Sequence, residues 1–264
     1  MIFSNPAYGA DHNTDKPPVG SPYESVRKMW DNIGLYHYDA IHRQVYTPIG
    51  PRLLGTVAHI GSWVGMPIHI QGLVVHVTEV WHSPNGLDLD YCVVDTDIPV
   101  YFNRLKNQSY TNQNNILIIG AGYGSGGYFV DEEGWPYVES DPAAIALRWG
   151  INKADLIGPY NPYPPNPAQE PPPPGRAFGA LFKHHDAPDG HPETVEALSW
   201  DSGSGAFLDC GPPSDPWVYI GSVGGGGHNY LSPYKGQVLT AYAGGCNLED
   251  NDFIDSLKWH RASA

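Results

Sequence analysis

From about residue 42 the chain runs as short apolar segments of strand length, broken by turn residues. HRQVY, LLGTVAHI, MPIHI, LVVHVTEVW, DYCVVDT and NILIIG follow one another up to residue 120, and several alternate apolar with polar positions. A period of two predicts strands with one face in a core. The pattern resumes at AFGALFKH, GAFLD, WVYIGSV and QVLTAY. No helical stretch separates these runs, so the spacing predicts a sandwich or barrel rather than β-α-β units. Two segments follow the helical period instead. PYESVRKMWDNIG, ending at Gly34, puts Val26, Met29, Trp30 and Ile33 on one side. NDFIDSLKWHR near the C-terminus does the same with Phe253, Ile254, Leu257 and Trp259, which predicts a closing helix over 250–261. Residues 1–22 are polar and proline-spaced and read as an extended arm. PYNPYPPNPAQEPPPPG, residues 159–175, lacks the N–H groups a central strand needs and reads as a surface loop of polyproline character.

The expected organisation is therefore all-β: an arm and short helix over 1–39, then a domain over 40–264. That domain divides into two barrel-like halves, 40–114 and 115–245, and the closing helix. Composition agrees. Gly 31 and Pro 26 together exceed a fifth of the 264 residues, which suits a loop-rich β protein. A net charge of −14 repels phosphate backbones and anionic lipid, so a nucleic-acid or membrane-surface binder is disfavoured. No apolar stretch approaches the length of a membrane span. The N-terminus lacks the basic and apolar parts of a signal peptide, so either processing precedes Met1 or export does not use that route. Three cysteines allow one bridge and one leftover thiol. Cys210 and Cys246 both follow strands of the second half and could bridge, while Cys92, inside an apolar run, reads as a buried free thiol.

The sharpest chemical signal is Trp200-Asp201-Ser202-Gly203-Ser204-Gly205. A serine between an acid and a glycine, followed by an apolar strand, suits an exposed nucleophile on a tight turn. Glycine lets a carbonyl substrate approach the backbone, where successive N–H groups can hold a developing oxyanion. Such a serine needs a base and an orienting acid from elsewhere. Two histidines compete for the first role: His69, which follows Trp63-Val64, and His59 in Val57-Ala58-His59. Two aspartates compete for the second: Asp90, which opens the apolar run Tyr91-Cys92-Val93-Val94, and Asp88 two residues earlier. Other patterns lead nowhere. Gly120-Ala121-Gly122-Tyr123-Gly124 follows a strand but opens no helix, so it is not a dinucleotide fingerprint. His184, His185, Asp186 and His191 sit in a Gly/Pro-rich loop and read as solvated rather than as zinc ligands.

At this point the chain resembles the chymotrypsin/trypsin-like serine peptidases, over most of residues 40–260. Trp63-Val64 ahead of His69 is similar to the family's strand leading into its histidine. Asp90 followed by Tyr-Cys-Val-Val and then Pro99-Val100 resembles the family's aspartate segment. Asn115–Gly124 resembles the strand opening the second barrel, and Arg148-Trp149-Gly150 a segment of bacterial secreted members. Asp201-Ser202-Gly203 stands where the nucleophile motif belongs. Trp217–Ser222 and Gly224–Gly227 resemble the substrate-binding wall, and Phe253–Trp259 the closing helix.

The resemblance implies two six-stranded barrels and a secreted or extracellular serine endopeptidase. It would be a monomer acting on polypeptide, with no metal or cofactor. The implied catalytic residues are His69, Asp90 and Ser202, with His59 and Asp88 ranked second. The oxyanion would be held by main-chain N–H groups of Trp200 and Ser202, and substrate by Glu196, Ser222, Gly224 and Gly225. Glu196, six residues before Ser202, falls at the base of the implied specificity pocket, where a carboxylate favours Arg or Lys. The chain departs from the family in having Pro67-Ile68-His69-Ile70 where Ala-Ala-His-Cys is usual, and Trp200 where a glycine precedes the acid. The alternative is a catalytically degenerate module of the same fold with a binding or structural role, on a virion or a surface.

Overall fold

The computed structural model describes residues 16–17, 19–21, 23–40, 42–84, 88–105, 115–130, 136–141, 143, 145–158, 179–182, 201–224 and 248–257. The helical period of the N-terminal segment is realised as α1, Glu24–Asn32. Val26 and Met29 are fully buried on its inner face and Ile33 follows them into the core. Asp31 on its outer side pairs with Lys16 of the preceding segment.

The first half is a closed barrel of six strands in the order β1-β2-β3-β6-β5-β4. These are β1 (Gly34–His37), β2 (Arg43–Gly50), β3 (Leu53–Thr56), β4 (Pro67–Ile70), β5 (Leu73–His82) and β6 (Asp90–Val94). All neighbouring pairs are antiparallel. Closure rests on β1, which pairs with β2 on one side and, at Leu35 opposite His69, with β4 on the other. The barrel therefore begins at Gly34 and not at residue 40. Four residues, GLYH, are too short to register as a strand beside a helix. Closing the ring removes the sheet edges that would otherwise stay unpaired. Tyr46, Leu54, Met66, Ile68, Ile70, Val75, Val77, Cys92, Val94 and Ile98 fill the interior. The Cys92 thiol is free, as expected. Burial pushes its pKa up to about 12, so it stays a neutral, packed group.

The second half is built from β7 (Asn115–Gly120), β8 (Gly124–Val130), β9 (Pro136–Asp141), β10 (Arg148–Gly158), β11 (Gly179–Phe182), β12 (Gly205–Asp209) and β13 (Trp217–Ser222). Among the described residues five of these form one sheet, β11-β10-β7-β12-β13, and β8 and β9 form a separate hairpin. The expected QVLTAY strand and the proline-rich loop lie outside the described residues. Its core is continuous with α1 and with the closing helix α2, Leu248–Ser256, through Ile116, Leu117, Phe207, Tyr219, Ile254 and Leu257. Asn251 and Asp255 of α2 both accept from the buried Arg104 guanidinium, which ties the helix to the segment joining the halves. Trp259 lies outside the described residues. The possible Cys210–Cys246 bridge involves Cys246, which lies outside the described residues. No helix among the described residues is long and apolar enough to cross a membrane.

Candidate active site

The nucleophile turn is shaped by what surrounds it. Ser202 lies between Asp201, which is buried, and Gly203, whose φ of +88° is left-handed. A Cβ at Gly203 would lie 2.8 Å from Thr56 Oγ1 and 3.0 Å from the Val45 carbonyl oxygen. Glycine is thus required twice, by its backbone angle and by the approach of β2 and β3. The turn is held by Gly203 N donating to the Val223 carbonyl at 2.9 Å, Val223 N to Ser204 at 2.8 Å, and Ser204 N to Asp201 at 3.0 Å. Behind it, a Cβ on Gly122 would fall 2.2 Å from Asp201 Oδ1. The glycine-rich segment after β7 thus makes room for the Asp201 side chain beneath the Ser202 turn. The buried Arg148 guanidinium donates to the Gly122 carbonyl at 3.3 Å from the other side.

Facing Ser202 is His59, carried on a single turn of 3-10 helix, Ala58–Ile60, just after β3. Gly61 ends that turn with φ +71°, its N–H donating to the Ala58 carbonyl at 3.0 Å. His59 Nε2 lies 2.7 Å from Ser202 Oγ. Asp88 grips the same residue twice: Oδ1 accepts the main-chain N–H of His59 at 2.9 Å, and Oδ2 meets Nδ1 at 2.5 Å. An ionised carboxylate only accepts, so Nδ1 carries the proton and the neutral ring turns its Nε2 lone pair to the serine. Both side chains are partly open to solvent, 45% for His59 and 34% for Asp88.

The structure does not bring His69 and Asp90 to the serine. His69 sits inside β4, opposite Val74 and Leu35, with its ring edge-on to His37 at 5.2 Å. Asp90 is the first residue of β6 and is 1% exposed. Its Oδ1 lies 2.5 Å from Nδ1 of His82 on β5, the cross-strand neighbour it faces in register. Burial raises the Asp90 pKa, and the His82 bond and charge only partly offset this. The favoured pair is therefore displaced by the second-ranked one. Trp63 and Val64, the landmark that favoured His69, are exposed beyond the His59 turn rather than built into a strand.

Of the remaining expected site residues, Ser222 is buried in β13, its hydroxyl 2.8 Å from that of Tyr219. Its side chain faces the interior and does not line a substrate surface. Gly224 directly follows Val223, the residue that exchanges hydrogen bonds with the nucleophile turn. Trp200, Glu196, Gly225 and the His184–His191 group lie outside the described residues. Among the described residues no group of three or more histidine, cysteine or carboxylate side chains is placed to hold a metal.

No protein-family model and no curated protein matches the sequence. Solved structures do match in three dimensions. Rv3671c from Mycobacterium tuberculosis, as an inactive serine-to-alanine mutant, superposes with a TM-score of 0.51 at 10% identity, covering 87% of this chain and 89% of that one. The inactive form of the Rv3671c protease gives 0.51 at 11% identity, over 91% of each chain. A Glu endopeptidase gives 0.49 at 11% identity, over 86% of this chain and 92% of that one. The first two, with the closed barrel and second sheet, show that the chain has the trypsin-like serine protease fold. At such identities the likeness is one of fold.

Proposed function

We propose that the protein is a serine endopeptidase whose triad is Ser202, His59 and Asp88. The observation that carries this reading is the unbroken chain of hydrogen bonds from Asp88 through His59 Nδ1 and Nε2 to Ser202 Oγ, across the two halves of the fold. Ser202 Oγ attacks the carbonyl carbon of a peptide bond while its proton passes to His59 Nε2. Asp88 stabilises the imidazolium and keeps the ring from turning. Collapse of the tetrahedral intermediate transfers that proton to the leaving amine and leaves an acyl-enzyme. Water, deprotonated by His59, then attacks the ester carbonyl and frees Ser202. The oxyanion is assigned to main-chain N–H groups of Ser202 and Trp200. In support, the N–H groups of Gly203 and Ser204 are committed inside the turn, whereas that of Ser202 makes no hydrogen bond among the described residues. The chemistry needs no metal or cofactor, and polypeptide is its substrate.

By the family's spacing we assign Glu196 to the specificity pocket, where a carboxylate would favour Arg or Lys before the cleaved bond. Glu196→Gln would then lower cleavage of Arg ester substrates relative to Phe esters; an unchanged ratio removes Glu196 from the pocket. The direct test of the enzyme itself is labelling by a fluorophosphonate, expected at Ser202 and abolished in Ser202→Ala and His59→Ala. Absence of labelling would favour the second reading, a degenerate binding module. Trp200 motivates that reading, because its bulk replaces a glycine beside the oxyanion site.

A further inference from the structure

Beyond the His59 turn lies an aromatic surface that the triad does not use. Tyr36 is half-buried against the first barrel's core and forms its anchor. The rings of Tyr38 and Trp63 pack edge-on against it, with centroids 5.0 and 5.2 Å away. Tyr38 and Trp63 are each 44% exposed, and Val64, next to Trp63 in the chain, is 65% exposed, so the rings and the adjoining valine present apolar surface to solvent. Clusters of this kind on a soluble chain mark contact sites. The cluster is tied directly to the catalytic turn: the Tyr38 hydroxyl donates to the carbonyl of Ile60, the residue after His59, at 3.0 Å. Tyr36 on β1, the ring contacts to it and the Tyr38 hydrogen bond therefore hold the rings in place before any ligand arrives, so little ordering cost remains at binding.

Resting on the peptidase reading, we propose that Tyr38, Trp63 and Val64 form a subsite for a large apolar or aromatic substrate side chain on the leaving-group side of the cleaved bond. The side follows from proton transfer. His59 Nε2 must reach the departing amine, so the residues after the cleaved bond cross the His59 turn, whereas the acyl half lies along the Ser202 turn and Gly224. A peptide leaving over Ile60 meets Tyr38 and then Trp63. Its aromatic side chain gains ring contacts and loses water-exposed surface, while an acidic side chain there gains neither and adds charge to an acidic protein.

Cleavage of a random peptide mixture by the full chain, read by mass spectrometry, tests this without a known substrate. Phe, Tyr, Trp and Leu should be enriched over Asp about tenfold within the two positions after the cleaved bond. Trp63→Ala should remove most of that enrichment. Trp63→Phe should keep it, and Val64→Asp, which leaves the rings in place, should reduce it. Val74→Ala, at an exposed apolar position on β5 away from the cluster, should leave the profile unaltered. Cleavage with no such enrichment, or with enrichment equal in Trp63→Ala and the parent chain, overturns the subsite and leaves the peptidase standing. Absence both of cleavage and of fluorophosphonate labelling overturns the peptidase and the subsite with it.

Discussion

Two aspartates two residues apart each hold a histidine through Nδ1, and only one of the pairs faces the hydroxyl of Ser202. Asp88 stands just before β6, at the rim of the first barrel, and reaches out to a histidine on a separate turn. Asp90 is already inside the strand and bonds a histidine one strand away in the same sheet. The two Oδ–Nδ1 distances are the same, 2.5 Å, so proximity does not distinguish them. What differs is the other end of the ring. His59 Nε2 meets Ser202, whereas the His82 side chain is 75% exposed and faces solvent. The carboxylates differ as well: Asp88 is gripped by a main-chain N–H and a ring, while Asp90 has one oxygen, Oδ2, buried with no hydrogen-bond partner among the described residues. On the proposed reading, what sets the Asp88–His59 pair apart is the third group, Ser202, which the second half of the fold brings to the rim.

Removing the groups that only one pair possesses separates the two pairs most forcefully. Ser202→Ala or His59→Ala should lower kcat on a peptide or activated ester by roughly 10⁵- to 10⁶-fold. Asp88→Asn should cost about 10⁴-fold, because an amide can donate to Nδ1 and stabilise the wrong tautomer. His82→Ala should leave kcat within about threefold, as expected of an exposed residue outside the hydrogen-bond chain. Steady-state kinetics on the four purified variants checks this. Losses of equal size at His82 and His59 would mean that the pairs are not functionally distinct.

A smaller effect is expected where the two halves touch. Gly203→Ala forces a side chain onto a left-handed residue and into Thr56, the Val45 carbonyl and Ile60. The cost should be about 1–3 kcal/mol of stability, seen as a lowered midpoint in urea. Activity should fall further than stability, because relief of the clash moves Ser202 away from His59. A variant with parental stability and parental kcat would show that the turn is not wedged between the halves.

Most of the fold and part of the candidate site are legible in the sequence. Short apolar runs, only some of them alternating, locate every strand of the first barrel except β1, whose four residues carry too little pattern beside α1. The nucleophile turn announced itself because glycine, acid and serine are all needed locally. The histidine and aspartate did not, since their roles depend on which way short segments turn. Trp63-Val64 resembled a strand leading into His69, but both are exposed past the turn. The better signal was the wholly buried run Leu53–Thr56, which ends directly before Val57-Ala58-His59. The same rule separates the aspartates. Asp90 opens a run of five buried positions, so its side chain is committed to the barrel, while Asp88 precedes the run and can point away. Glu196 and Trp200 were legible as candidates through the family's spacing alone.

The smallest expected effect sharpens the contrast between the carboxylates by pH. Burial raises the folded-state pKa of Asp90 above its ordinary value, so the folded protein holds its ionised form less well than the unfolded chain does. The sign follows from linkage: the unfolded chain releases this proton first as pH rises, so Asp90 subtracts stability at pH values above its folded pKa. That penalty is relieved as pH falls through the raised folded pKa towards the ordinary carboxylate value. Asp90→Asn keeps an acceptor for His82 and removes the charge. The variant should unfold at a higher temperature than the parent at pH 7, with the advantage vanishing in mildly acidic buffer and kcat little altered. Thermal melts of parent and variant between pH 4 and pH 8, scanned side by side, give the answer. A variant less stable than its parent at pH 7 would mean that the ionised Asp90–His82 pair outweighs the burial of its charge, and the two aspartates would then differ in position alone.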